Sequence, residues 1–285
     1  MMALGITLGI GLIVFQLFRQ NERVFRDQNL VIEMQQTARV VASQIADEVR
    51  MAGEGVPVYA SRFDSLAQEG AAVVLASSTN NRIDFRAGLS LVETSVTTPV
   101  PLDCTLGLSR TLTVADGSSF LNALGTTTPT GKFVYIWGPA NNQMWTWVRA
   151  ELTRINGNTL TLTPRQGGVS SVFTRAPTLT LEEAVSFYLS GTNVKRATAA
   201  DTTNLASPAW SPANDIGRSV TSLSFSYYDE NNNPIVPGSL ANRLSIVRVD
   251  VRIVAQTSDA LSDGSRPSHT LSFRTIPRNL RVRLN

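Results

Sequence analysis

The sequence predicts an α+β protein in which one long N-terminal helix is followed by a mainly antiparallel, β-rich head. Two observations lead to this class. No glycine or proline interrupts the chain between Gln16 and Ala52, so a single helix can run through that segment. Beyond residue 56 the hydrophobic period changes to two, and short apolar runs alternate with Ser, Thr, Asn, Gly and Pro. We therefore predict a helix over residues 1–53 and a head over residues 56–285.

The first third of the helix carries no charge. Residues 1–18 include only Thr7 and Gln16 as polar side chains, and this length is close to the ~20 apolar residues that span a bilayer. A cleaved signal peptide would need a basic region before the apolar run and a small-residue cleavage site after it, but the run is followed by Arg19. The sequence therefore predicts a transmembrane segment over residues 1–18 and an amphipathic segment over residues 19–53.

The amphipathic segment carries one stripe with alternating spacings of four and three residues, which is typical of a helix with one covered face. Its members are Val24, Gln28, Val31, Gln35, Ala38, Ala42, Ile45, Val49 and Ala52. Gly53, Gly55 and Pro57 then form a strong stop signal. At 1.5 Å per residue the helix would be roughly 80 Å long. We therefore expect it to pack along its length, through residues that include Val31, Ala38, Ala42, Ile45 and Val49.

Small residues mark a second packing surface in the apolar third. Gly5 and Gly9 form a GxxxG pattern, and Gly11 follows. In an apolar helix such residues let another helix approach closely, so that van der Waals contact becomes the main attraction. Glycine is also simply common in membrane helices, which explains the same residues without a partner. Both interpretations stay open at this point.

The head is predicted as a series of short strands and hairpins. Its strongest turn signals are the Asn156–Asn158 segment and the loop at 190–193. Residues 199–218 are predicted to be a loop because they are rich in Ala, Ser, Asn and Pro. The predicted strands cover 73–76, 83–85, 133–137, 144–155, 159–162, 184–189, 194–198, 220–228, 244–256, and a last strand from 271 that continues over 280–284. Alternation in the later strands predicts sheets with one buried face.

The composition argues against catalysis. The chain has one cysteine, Cys104, and one histidine, His269, which excludes an internal disulfide framework and argues against a conventional zinc site. No nucleophile turn or oxyanion signature accompanies His269. Hydrophobic residues make up 42% and charged residues 16% of the chain, with a net charge of +3. We expect a protein that is not an enzyme, needs no cofactor, and acts by shape and placement.

Two motifs suggest ligands but have simpler explanations. Asp229, Asn231 and Asn233 match the first half of a calcium loop, whose oxygen ligands occupy alternate positions. The sixth position is proline rather than glycine, the closing glutamate is missing, and a hairpin turn explains the same residues. Trp145 and Trp147 alternate with Arg149 and could stack on nucleic-acid bases. Packing of one sheet face against the core explains that pattern more simply, so nucleic acid is not the favoured partner.

Several segments, taken in order, carry a family resemblance. They are Met2–Ile6, the helix exit Asp47–Gly55, the hairpin Glu183–Arg196, the strand Val220–Asn233, the strand Val247–Val251 and the closing Arg274–Leu280. Together with the long helix they resemble type IV pilins, and the PilW-type minor pilins in particular. The resemblance covers both ends and the middle of the chain, and residues 60–180 only loosely. It implies a pilin-like fold.

The resemblance also implies how the chain is processed, where it is located and which proteins it contacts. Pilins have a basic leader, a glycine at the cleavage site, and a glutamate five residues beyond it. Here that motif would lie before Met1, so we expect the site of the prepilin peptidase upstream. The resemblance places the chain in the inner membrane as a single-pass protein with a periplasmic head, and afterwards at the cell surface. It implies the assembly platform, the major pilin and other minor pilins as partners.

The function that follows is structural. A PilW-like minor pilin would help to initiate or cap a type IV pilus and would pack through its N-terminal helix. A J-type pseudopilin of type II secretion shares the same layout. A membrane-tethered module that captures DNA or acts as an adhesive tip is an alternative of another class.

Overall fold

The computed structural model describes residues 2–56, 68–140, 144–168 and 170–277, with no side-chain description for residues 2–10. Helix α1 spans Met2–Arg50, α2 spans Ser118–Leu124 and α3 spans Leu240–Ser245, and Glu69–Ala71 form a 3-10 turn. The strands are β1 (Arg82–Arg86), β2 (Glu93–Ser95), β3 (Leu102–Asp103), β4 (Arg110–Thr113), β5 (Phe133–Pro139), β6 (Trp145–Asn156), β7 (Thr159–Gly167), β8 (Val172–Phe173), β9 (Thr178–Leu181), β10 (Ala184–Ser190), β11 (Asn193–Asp201), β12 (Ala209–Trp210), β13 (Asn214–Gly217), β14 (Val220–Tyr228), β15 (Pro234–Ile235), β16 (Arg248–Gln256) and β17 (Ser268–Thr275).

The predicted class is confirmed at the level of a long N-terminal helix and antiparallel sheets. Helix α1 runs for 49 residues without a break. It ends at Arg50, close to the predicted stop. Gly53 and Gly55 follow with φ of 85° and 74°, a conformation that glycine adopts without strain. Every strand pair in the described chain is antiparallel.

The first core lies between α1 and two sheets. One sheet has the order β15-β14-β16-β17, and the other has the order β1-β10-β11 with β12 and β13 beside β11. Helix α1 lies against β13, β16 and β17. Alternate residues of β14 and β16, such as Phe225, Val251 and Ile253, point into this core and are almost fully buried. The amphipathic part of α1 therefore forms one wall of the head.

A second core lies within a closed barrel. Strands β2-β9-β5-β6-β7-β4 form a six-stranded sheet. Its two edges meet, because Val96 pairs with Val114 and the amide of Thr97 donates to the carbonyl of Thr113 at 2.8 Å. The amide of Ala115 also donates to the carbonyl of Ser95 at 2.9 Å. Closure leaves no edge to protect, and Phe120 of α2 is fully buried in the barrel core.

A buried charge network joins the barrel to the first core. Arg149 of β6 donates to both carboxylate oxygens of Glu182, at 2.6 and 2.7 Å, and to the carbonyl of Thr202 at 2.6 Å. Arg86 of β1 lies 3.5 Å from the same carboxylate and donates to Tyr135 and to the carbonyl of Gly70. The side chains of Arg86, Arg149 and Glu182 are at most 2% exposed. The network therefore fixes how the two regions are packed together.

The structure corrects three predictions of secondary structure. Residues 73–76 form only an isolated bridge, in which Val74 pairs with Phe85. The predicted loop at 199–218 contains the end of β11 and the strands β12 and β13. Residues 244–245 belong to α3, whose first turn is capped by Ser239 accepting from the amide of Asn242, so that strand begins only at Arg248. The predicted continuation over 280–284 lies outside the described residues.

Candidate assembly surface

The inner face of α1 is built into its own head. Ala38, Ala42, Ile45 and Val49 are buried in the first core, as the stripe predicts for a covered face. Met34 and Val41 join them, although the stripe did not include them. Because their own chain covers these side chains, they cannot contact another subunit directly. They can influence assembly only by holding α1 in its position on the head. Val31 is half-buried at the margin of this core.

The described side chains at residues 11–18 of α1 are mostly apolar and exposed. Leu12, Ile13, Phe15, Leu17 and Phe18 expose between 55% and 65% of their surface. Contiguous apolar exposure on this scale is unusual for a protein without a partner or a membrane around it. The backbone of Gly5 and Gly9 is helical, while their surroundings lie outside the described side chains. A Cβ atom added at Gly11 would meet nothing within 4 Å, so that surface is open.

An outer apolar stripe continues along the part of α1 that packs on the head. Phe18, Phe25 and Ile32 are spaced seven residues apart, which places them on one face of the helix. They are 65%, 66% and 49% exposed, and Val40 on the same side is 58% exposed. This face points away from Ile45 and the core. Sequence reasoning followed the inner stripe alone, although the heptad spacing of these residues was a signal for a second one.

In addition to the apolar packing of its inner face, two polar contacts among the described residues join α1 to the head. Near its C-terminal end, Arg196 of β11 donates to both oxygens of Glu48 at 2.7 and 3.0 Å, in a half-buried position. Farther along, Asp27 accepts from the amide of Ser262 at 3.0 and 3.1 Å, and also from its hydroxyl. The hydroxyl bond, more than any other cause, holds the pKa of the Asp27 carboxyl below its ordinary value. Ser262 lies in the turn between β16 and β17, so this turn reaches the middle of the helix.

No helix among the described residues has a stretch that is long and apolar enough to cross a bilayer. The side chains of residues 2–10 are not among those described. The transmembrane segment over residues 1–18 therefore stays a prediction.

The remaining candidate residues serve the fold. Asp229 accepts from the amides of Asn231 and Asn233 at 2.9 and 2.8 Å and from the side chain of Asn233 at 3.0 Å, so its carboxylate stabilises the turn itself. Burial raises the pKa of the Cys104 thiol to about 12, which disfavours the reactive thiolate. Trp147 is fully buried, and Arg149 is engaged with Glu182. Neither residue is presented to a nucleic acid.

Comparisons with known proteins identify no family for this chain. No family model matches the sequence, and no curated protein matches it. Among solved structures, the chain is similar to a type IV-like pilin from Thermus thermophilus, at 10% identity and a TM-score of 0.26. The similarity covers 57% of this chain and 93% of that chain. A TM-score this low transfers neither fold nor function, so the case for a pilin rests on the chain's own helix and head.

Proposed function

We propose that this chain is a structural minor pilin, PilW-like, that helps to initiate or cap a type IV pilus by packing through α1. The observation that supports the proposal is the division of one continuous helix. Its C-terminal half completes the core of a folded head, and residues 12–18 present exposed apolar side chains. Such a helix can exchange lipid for the helices of other subunits at little cost, because both surroundings are apolar.

The proposal has a location and a set of partners. The apolar third of α1 would anchor the chain in the inner membrane, with the head in the periplasm, until the assembly platform lifts it into a filament. Prepilin peptidase would process it upstream of Met1. Its helix would then contact the major pilin and other minor pilins. The outer stripe, Phe18, Phe25 and Ile32, would extend that contact beyond the membrane segment.

The outer stripe offers a direct test. Phe25→Asp removes an apolar side chain that is 66% exposed, so we expect the head to fold normally while filaments are lost. Phe25→Leu keeps the apolar surface and should retain them. The measurement is pilus number by electron microscopy at matched membrane levels of each variant. Wild-type piliation by Phe25→Asp at equal level would contradict the proposal, and lost protein secretion with normal pili would assign the J-type pseudopilin instead.

A further inference from the structure

Strand β17 is the longest edge strand in the described chain. Its eight residues pair with β16 in one unbroken register, without a bulge. Every second residue of an edge strand directs its N–H and C=O away from the sheet. Within the described residues, no backbone hydrogen bond joins β17 to any element other than β16. The edge also lacks proline, one of the devices by which proteins protect such edges.

The other long strands do not share this exposure. The barrel closes on itself through Val96 and Val114. The outer side of β1 is covered, because the amides of Leu75 and Arg86 bond across that side. The outer side of β14 is occupied by β15 and by the carbonyl of Asn80, which accepts from Phe225 at 2.8 Å. The open edge is therefore a local property of β17 and not a general feature of these sheets.

We propose that β17 accepts an extended segment of a different chain as an added strand, a mode of recognition in which backbone hydrogen bonds supply affinity. A second copy fits poorly. Antiparallel pairing of β17 with itself has a two-fold axis perpendicular to the sheet, which would point the two α1 helices in opposite directions. This step rests on the proposed function, since helices that enter one filament from one membrane must run the same way.

The two faces beside the edge define the chemistry of the added strand. On the α1 side, Leu271 and Phe273 are half-buried against the first core, so apolar residues suit the added strand there. On the outer side, Arg252 lies across from Ser272 and makes no ion pair with any described residue. Strands lie about 4.8 Å apart, so an acidic residue on the added strand would be about 10 Å from the Arg252 backbone, across a small serine. The edge therefore favours a strand of alternating apolar and acidic residues.

The test uses the full chain in detergent micelles and two labelled seven-residue peptides. One peptide alternates glutamate with valine, and the other has lysine in place of glutamate. We expect the glutamate peptide to bind and to slow amide exchange in β17 but not in β14, and the lysine peptide to bind less well. Arg252→Glu should weaken the glutamate peptide about fivefold and strengthen the lysine peptide. The matched control, Arg154→Glu, changes an exposed barrel residue and should alter neither peptide.

The outcomes separate this inference from the proposed function. Absence of β17 protection with both peptides at millimolar concentration would overturn the inference. Equal protection by both peptides would overturn the part of the inference that assigns acidic residues to the added strand. Two results together would separate the proposals. If the glutamate peptide still protects β17 in purified Phe25→Asp, and cells that carry Phe25→Asp have normal piliation, the edge site is supported and the pilin proposal is contradicted.

Discussion

The barrel and the C-terminal sheet solve the problem of strand edges in opposite ways. The barrel joins β2 to β4, so its backbone groups are paired within one closed sheet around a core of its own. The sheet β15-β14-β16-β17 stays open and needs α1 to cover its apolar face. No described residue pairs with the outer side of β17. The barrel thus has a core of its own and a closed sheet, whereas the C-terminal sheet depends on a helix and presents an edge that no described residue pairs with.

The difference indicates where contacts with other chains would form. A closed barrel offers only side chains and loops to a partner, while an open sheet with a helix beside it offers both an edge and an apolar surface. Both of the surfaces that we propose for contacts with other chains, the outer stripe of α1 and the edge of β17, lie on the open region. The charge network around Glu182 then sets the position of the barrel relative to those surfaces.

The largest expected effect comes from breaking that network. Glu182→Gln removes the carboxylate that faces Arg149 and Arg86 and leaves two buried guanidinium groups without it, which should lower the free energy of unfolding by about 3–5 kcal/mol. Glu151→Gln is the matched control. Its carboxylate lies 2.6 Å from the half-exposed guanidinium of Arg165, and ion pairs with such exposure contribute about 1 kcal/mol or less. Urea unfolding of both variants measures the difference. Equal losses would show that the network does not join the two regions.

The same carboxylate predicts a pH dependence. Burial alone would raise the pKa of Glu182, but Arg149 and Arg86 outweigh it and hold that pKa below 4.5. A carboxyl with a lowered pKa in the folded state contributes stability that is present above its unfolded pKa and is lost as the pH falls through the folded value. Wild-type stability should therefore fall with pH below about 4.5. Glu182→Gln should show a shallower fall, and parallel curves for the two proteins would contradict this assignment.

Sequence reasoning reached the elements whose signals are local. The uninterrupted run from Gln16 to Ala52 gave the helix, and the Ala184–Thr198 hairpin followed from alternation around a four-residue turn. It missed the barrel because closure depends on a single pair, Val96 with Val114, between strands of three and four residues. It missed the charge network because Arg149 and Glu182 meet only through folding. Hydrophobic periodicity predicts each strand separately and does not predict which strands pair with each other.

A smaller effect should separate the two faces of α1. Ile45→Ala removes a fully buried side chain from the wall of the first core and should lower the free energy of unfolding by about 2–4 kcal/mol. Ile32→Ala on the outer face should change it by about 0.5 kcal/mol or less. Hydrogen exchange should show faster opening of β14 and β16 in Ile45→Ala, with the barrel strands unchanged because their core is separate. Equal acceleration in both regions would mean that they unfold as one unit.

The smallest effect should come from Asp27→Asn. Asp27 is the residue through which the turn between β16 and β17 contacts the middle of α1, by accepting the amide and hydroxyl of Ser262. A neutral amide is a weaker acceptor than a carboxylate, so the turn should detach more often while the head stays folded. We expect faster exchange at the Ser262 amide, with urea unfolding unchanged. Ser262 holds the pKa of Asp27 below its ordinary value. As the pH falls through that lowered pKa, the wild-type Ser262 amide should therefore exchange faster relative to its intrinsic rate at the same pH. The Asp27→Asn variant should show no such acceleration by acid. An acceleration by acid that persists in the variant would show that the turn is held by other contacts.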